Sequence, residues 1–197
     1  MTIYDISQEV FSCAVFPGDP APQRERLMTI QNGAVCNLTA FSMCAHNGTH
    51  IDAPYHFLDN GETVDQLSLF KTVGYAYVVA HEGFLTAEDA RKILDRAEAI
   101  DCECAKRILI KGTATVSLEA AEVFAKSAVL LLGNESQTVG PEDAPMAVHL
   151  KLLGVGTVLL EGIRLREVPE GRYLLNAAPL SLAGSDGAPC RAILIAI

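Results

Sequence analysis

The feature that most constrains this chain is an alternation in its second half. Arg107–Lys111 reads as a buried strand, Leu118–Lys126 as a helix, 128–132 as a strand, 144–153 as a helix and 155–161 as another strand. Short apolar runs alternating with helical periodicity belong to an α/β unit, in which helices cross over a sheet and cover it. Upstream, a strand is expected at 74–80. Thr86-Ala87-Glu88-Asp89 then opens a helix running to about Arg96, with the threonine as N-cap and acids in the first turn. The N-terminal third reads as β-rich, with runs around Ile3, 11–16, 26–30 and 35–43 punctuated by Pro17-Gly18-Asp19-Pro20 and Asn32-Gly33. Two last strands near 173–178 and 191–197 would close the sheet. No internal repeat, low-complexity tract or linker breaks the pattern, and 197 residues suit one hydrophobic core, so one α/β domain over 1–197 is expected.

Charge narrows the partners. A net charge of -9 with no Lys/Arg-rich run offers nothing to neutralise phosphates, which argues against nucleic acid. The longest apolar stretches are far shorter than the roughly 20 residues of a spanning helix, and Met1-Thr2-Ile3-Tyr4-Asp5 lacks the regions of a signal peptide. A cytoplasmic protein with no membrane partner is therefore expected, and its six cysteines are expected to be reduced. Cys102 and Cys104 are too close in sequence for the usual zinc spacing.

Chemistry concentrates in one segment. Between His46 and His56 lie three of the five histidines of the chain, together with Asp52. Neutral imidazole and carboxylate suit zinc, and also manganese or iron when coordination positions stay open. His46 and His50 are four apart and Asp52 follows by two, so a turn bent at Gly48 would aim all three at one point, while Pro54 argues against one regular helix. A rigid loop with one helical turn is the expected local structure. Surface histidines are common singly; three with an aspartate in eleven residues, flanked by Gly and Pro, point to a metal or catalytic site. His81 has no such context and reads as structural.

The run His46-Asn47-Gly48-Thr49-His50-Ile51-Asp52-Ala53-Pro54-Tyr55-His56 carries every fixed position of H-x-G-T-H-x-D-x-P-x-H. The chain thereby resembles the cyclase superfamily that includes bacterial kynurenine formamidases and isatin hydrolases. The segments Phe16-Pro17-Gly18-Asp19-Pro20, Asn176 to Leu180 and Ala188 to Arg191 extend the likeness over essentially the full length. The resemblance implies a swivelling β/β/α fold and a metal site completed by His149 and Glu161, giving five ligands with His46, His50 and Asp52. On residues alone, His149 would mean little, whereas a carboxylate ending the apolar strand at Glu161 is costly unless paired or bound to a cation.

The same resemblance implies one or two zinc ions, with manganese as the alternative, and Asp52 bridging the two if both are present. It implies a homo-oligomer, a dimer or dimer of dimers, with residues near the N-terminus lining the partner's pocket. A bound ion would acidify water from ~15.7 to near neutrality and polarise an amide carbonyl. His56, six residues past His50 and beyond the proline, is the candidate general base and acid, the competing role being a further ligand.

The family's kynurenine-hydrolysing members carry tryptophan where this tryptophan-free chain has Phe16, the candidate substrate-binding residue. Their usual aspartate-threonine element reads here as Gly133-Asn134-Glu135-Ser136-Gln137-Thr138. Both departures touch the pocket and neither touches the ligands. The expected substrate is an aryl formamide such as N-formylkynurenine, followed by a cyclic imide, lactam or lactone; a carbon-ring cyclase or dehydratase stays open. Outside hydrolysis stand a non-catalytic module stabilised by its metal and a cysteine enzyme built on Cys44.

Overall fold

The computed structural model describes residues 1–197. Its strands are β1 (Ile3–Asp5), β2 (Gln23–Met28), β3 (Leu38–Ser42), β4 (His50–Asp52), β5 (Val73–Ala80), β6 (Gly83–Leu85), β7 (Arg107–Lys111), β8 (Ala114–Val116), β9 (Leu131–Asn134), β10 (Val158–Glu161), β11 (Gly171–Asn176), β12 (Gly187–Pro189) and β13 (Ile193–Ala196). Its helices are α1 (Leu69–Thr72), α2 (Ala87–Ile100), α3 (Leu118–Lys126) and α4 (Met146–Leu153). Nine strands form one mixed sheet in the order β1-β13-β11-β5-β7-β9-β10-β4-β12.

The four central strands β5, β7, β9 and β10 run parallel. Parallel neighbours need crossovers, and α2, α3 and α4 supply them, which is the alternation read from the sequence. Helix α2 starts on a reciprocal capping box: Thr86 Oγ1 accepts from Asp89 N while the Asp89 carboxylate accepts from Thr86 N. It buries Ala90, Ile93, Leu94 and Ala97, one stripe at helical spacing. Helix α3 is capped by Ser117 and ends before Ala128, whose φ of 53° stops it; strand β9 consequently begins at Leu131, later than the expected 128.

Strand periodicity divides the core. Tyr77, Val79, Ile108, Ile110, Leu132 and Leu159 face the helices. Their alternating neighbours Ala76, Val78, Leu109, Leu131, Val158 and Leu160 face a second apolar cluster with Ile6, Ile51, Ile163 and Leu194. Each fully buried aliphatic side chain contributes roughly 1.5–3 kcal/mol by transfer from water. Arg107 is also fully buried, and its guanidinium donates to the carbonyls of Phe70, Lys71 and Tyr75, tying α1 to the sheet.

The structure differs from expectation at three places. Residues 11–16 form no strand: a 3-10 turn at Val10–Ser12 leads into extended chain, and Phe11 packs edge-on against Phe41 of the exposed β2-β3 hairpin. The histidine-rich segment is not a free loop, because His50–Asp52 is strand β4, held between β10 and β12. Its helical turn is real and lies at Pro54–His56. Strands β6, β8 and β12 have three residues each, too few for a pattern to register. No helix is long and apolar enough to cross a membrane, and all six cysteines are free.

Candidate metal centre

Register builds the site. Strands β4 and β10 are antiparallel, with His50 opposite Glu161 and Asp52 opposite Leu159. Side chains alternate along a strand, so His50, Asp52 and Glu161 share one face while Ile51 points into the opposite core cluster. Helix α4 packs on that face and presents His149. His46 arrives from the preceding turn, where Gly48 has the φ of +65° that only glycine adopts freely, so the expected bend at Gly48 is present.

The distances are short. Asp52 Oδ1 lies 2.8 Å from His46 Nδ1 and 3.2 Å from His50 Nε2, and Asp52 Oδ2 lies 3.6 Å from His149 Nε2. His149 Nε2 is 3.2 Å from Glu161 Oε1, and His50 Nε2 is 3.5 Å from Glu161 Oε2. Two groups of three ligand atoms therefore meet at Asp52: His46, His50 and Asp52 on one side, Asp52, His149 and Glu161 on the other. His50, Asp52, His149 and Glu161 are all buried.

Outer hydrogen bonds orient the rings. His50 Nδ1 donates to the Gly48 carbonyl at 3.0 Å and His149 Nδ1 donates to the Pro145 carbonyl at 2.9 Å. Each bond occupies Nδ1 and turns Nε2 towards the carboxylates, where either a proton or a metal ion can sit, the arrangement of metal-ligating histidines. Val139 N donates to Glu161 Oε1 at 2.8 Å, fixing that carboxylate.

Charge is unbalanced in the cluster. Burial opposes protonation of His46, but Asp186 and Asp52 outweigh it and raise the imidazole to about 11. His50 is raised to about 9 in the same way by Asp52 and Glu161, and His149 is raised by Glu161. Asp52 is held well below the usual carboxylate range by His46 and His50 despite its burial. The carboxylates thus draw in any positive charge available. His50 Nε2 and Asp52 Oδ2 are buried with no hydrogen-bond partner, a costly state that a cation between them relieves. Orphaned inward atoms and a donor set of imidazole and carboxylate fit a divalent metal ion.

The cluster floors an open pocket of about 400 Å³, within the ~300–1,000 Å³ range of small-molecule sites. Phe16, Asp19, Cys44, Phe57, Gln137 and Thr138 line it with His56. His56 stacks on His46 with ring centroids 4.0 Å apart, and burial pushes its imidazole below the ordinary value. Phe57 lies against both His56 and His149. Cys44 Sγ donates to Asp19 Oδ2 at 3.7 Å and has no histidine partner, so the cysteine-enzyme arrangement is not assembled. His81 lies apart from the pocket, its ring reaching only the Phe84 carbonyl at 3.5 Å.

Asp186 was not singled out by the sequence. It lies 2.8 Å from His46 Nε2 and 3.2 Å from His56 Nδ1. Nothing in its local sequence distinguishes it from an ordinary acidic turn residue 130 positions after His56.

A buried imidazole-carboxylate cluster at the floor of a small-molecule pocket defines a class: enzymes that use a bound ion to act on a small substrate. The chain belongs to the Cyclase family, whose model matches residues 4–141. It is 34% identical to a kynurenine formamidase of Salinibacter ruber, over 98% of this chain and 97% of that protein. It is 32% identical to a kynurenine formamidase of Erythrobacter litoralis, over 98% and 93% respectively. Among solved structures it resembles a potential metal-dependent hydrolase with cyclase activity, with a TM-score of 0.79 and 27% identity over 98% of this chain and 96% of the other. Isatin hydrolase A of Labrenzia aggregata shares the fold, with a TM-score of 0.81 at 20% identity over 98% and 93%.

Proposed function

We propose that this protein is a metal-dependent hydrolase that cleaves the amide bond of an aryl formamide such as N-formylkynurenine. The observation that carries the reading is Asp52: one buried carboxylate placed between two triads of ligand atoms, with its Oδ2 unpartnered, beneath a pocket of small-molecule size. His46, His50, Asp52, His149 and Glu161 would hold one or two divalent ions, zinc or manganese. An ion held there would supply a Lewis acid for the carbonyl and acidify the attacking water.

The remaining work belongs to the chain. His56, whose imidazole burial keeps neutral, accepts a proton from the attacking water as its oxygen adds to the formyl carbon. When the carbon-nitrogen bond breaks, the same imidazole returns that proton to the departing arylamine, and formate is the second product. Phe16 and Phe57 offer aromatic surface to the ring of the substrate. We further read the protein as a cytoplasmic homo-oligomer, a dimer or tetramer, of the single domain 1–197.

The test is elemental analysis of protein purified without added metal, followed by hydrolysis assays on N-formylkynurenine and isatin with and without a chelator. Stoichiometric metal with chelator-sensitive formate release is the expected result. Failure to bind any divalent ion after reconstitution would overturn the reading, and faster turnover of isatin would move the substrate to the cyclic amides.

A further inference from the structure

We infer that Asp186 is a positioning residue that holds two imidazoles at once, His46 on the metal side and His56 on the substrate side. The inference rests on the hydrolase reading above and adds to it a residue outside the five-ligand set and the base.

The geometry is specific. Asp186 Oδ2 is 2.8 Å from His46 Nε2 and 3.2 Å from His56 Nδ1, one oxygen serving both rings. A carboxylate oxygen shared by two ring nitrogens at these distances acts as the acceptor, so both ring nitrogens donate to it. Asp186 thereby holds His46 by Nε2 and leaves Nδ1 towards Asp52 as the atom that would meet an ion in place of a proton, and it holds His56 with Nε2 free to accept a proton. A carboxylate behind a ligating histidine fixes ring orientation and raises ligand basicity, and its loss typically weakens metal affinity or activity by 10–100-fold. Here the same carboxylate also sets the tautomer of the candidate base.

The backbone shows the same construction. Asp186 O accepts from Ala53 N at 2.9 Å, and the next residue, Gly187, pairs with Asp52 in the β12-β4 register. A Cβ at Gly187 would sit 2.7 Å from His46 Cε1 and 2.8 Å from the Ile51 carbonyl, so glycine is what lets the edge strand close on the ring. Asp186-Gly187 is thus a rest for His46: the carboxylate anchors Nε2 and the missing side chain makes room for the imidazole. The stack of His46 on His56 then follows from a shared anchor.

The experiment compares wild type, Asp186→Asn and Asp186→Ala, each as full-length zinc-loaded protein, in three readouts. Histidine ring nitrogens observed by NMR report tautomers without turnover; competition with a chromogenic chelator reports zinc affinity; formamide hydrolysis separates kcat from KM. In wild type, His46 is expected as the Nε2-H tautomer and His56 as Nδ1-H. Asp186→Ala is expected to mix the His56 tautomers, weaken zinc binding about 10–100-fold and lower kcat by a similar factor with KM nearly constant. Asp186→Asn keeps the volume but turns an N-H donor towards ring N-H groups, so it is expected to fall between the two, and it decides the matter if the alanine variant does not fold. Unchanged tautomers and zinc affinity in the variants would overturn the inference even if hydrolysis falls. A wild type that binds zinc with the expected tautomers but hydrolyses no formamide would sink the proposed substrate and leave the positioning role supported.

Discussion

At the scale of single residues, Asp52 is the position on which the site depends. Removing one outer member of either triad leaves the other triad complete, whereas removing Asp52 takes a ligand from both groups. Asp52→Ala is therefore expected to abolish stoichiometric metal binding, while Glu161→Gln and His149→Ala leave measurable binding at His46, His50 and Asp52. Metal analysis after dialysis, variant by variant, checks the ordering. His56→Ala is expected to keep its metal and lose about 10²–10⁴-fold in kcat, the contribution of a positioned acid-base group; loss of metal with it would instead make His56 a ligand. His46, His50, Asp52 and His56 were legible because they sit in eleven consecutive residues. His149, Glu161 and Asp186 were not legible from local pattern, because strand register and helix packing bring them in from far along the chain. His149 entered only through family resemblance, Glu161 through that resemblance and its place at the end of an apolar strand, and Asp186 not at all.

At the scale of elements, what could be read depended on length and caps. Helices α2 and α3 each carry an apolar stripe and a side-chain N-cap, and both were placed within a few residues. Three-residue strands carry no period, so β4, β6, β8 and β12 could not be seen, although β4 and β12 hold the site together. Thr86→Ala removes the hydroxyl half of the α2 capping box and is expected to cost about 1 kcal/mol in denaturant unfolding.

Glu170 makes a second testable link. Its carboxylate accepts from Ala80 N at 2.6 Å and pairs with Arg96 of α2 at 2.7 Å, and these contacts hold it below the ordinary glutamate value. A carboxylate depressed in the folded state stabilises the protein above its unfolded value of ~4.3 and loses that contribution as pH falls through the folded value. The pair is partly exposed and solvent screens it, so Glu170→Gln is expected to cost only about 0.2–1 kcal/mol at neutral pH. The difference from wild type should shrink on the acid side, as read from urea unfolding at several pH values.

At the scale of the whole molecule, charge and metal set the behaviour. The net charge is -9, and Asp19 at the pocket wall is joined by no lysine or arginine among the lining residues. An aryl formamide bearing an ammonium group is expected to react with a higher kcat/KM than its counterpart bearing a carboxylate, and Asp19→Asn should narrow the ratio. An ion that prefers the folded cluster to the unfolded chain stabilises the fold by mass action. At 100 Kd of free ion the gain is about 2.7 kcal/mol, so chelation is expected to lower Tm by roughly 5–10 °C in a chain of this length.

The nine-stranded sheet ends at both sides in a strand of three residues, β1 and β12, and β12 finishes on Pro189, which has no N-H to offer. Such stubs give an incoming strand almost no ladder to pair with. The margin that carries Asp186 beside the histidine and carboxylate cluster is therefore closed to growth by strand addition, so the mouth of the pocket is no template for a further β-strand.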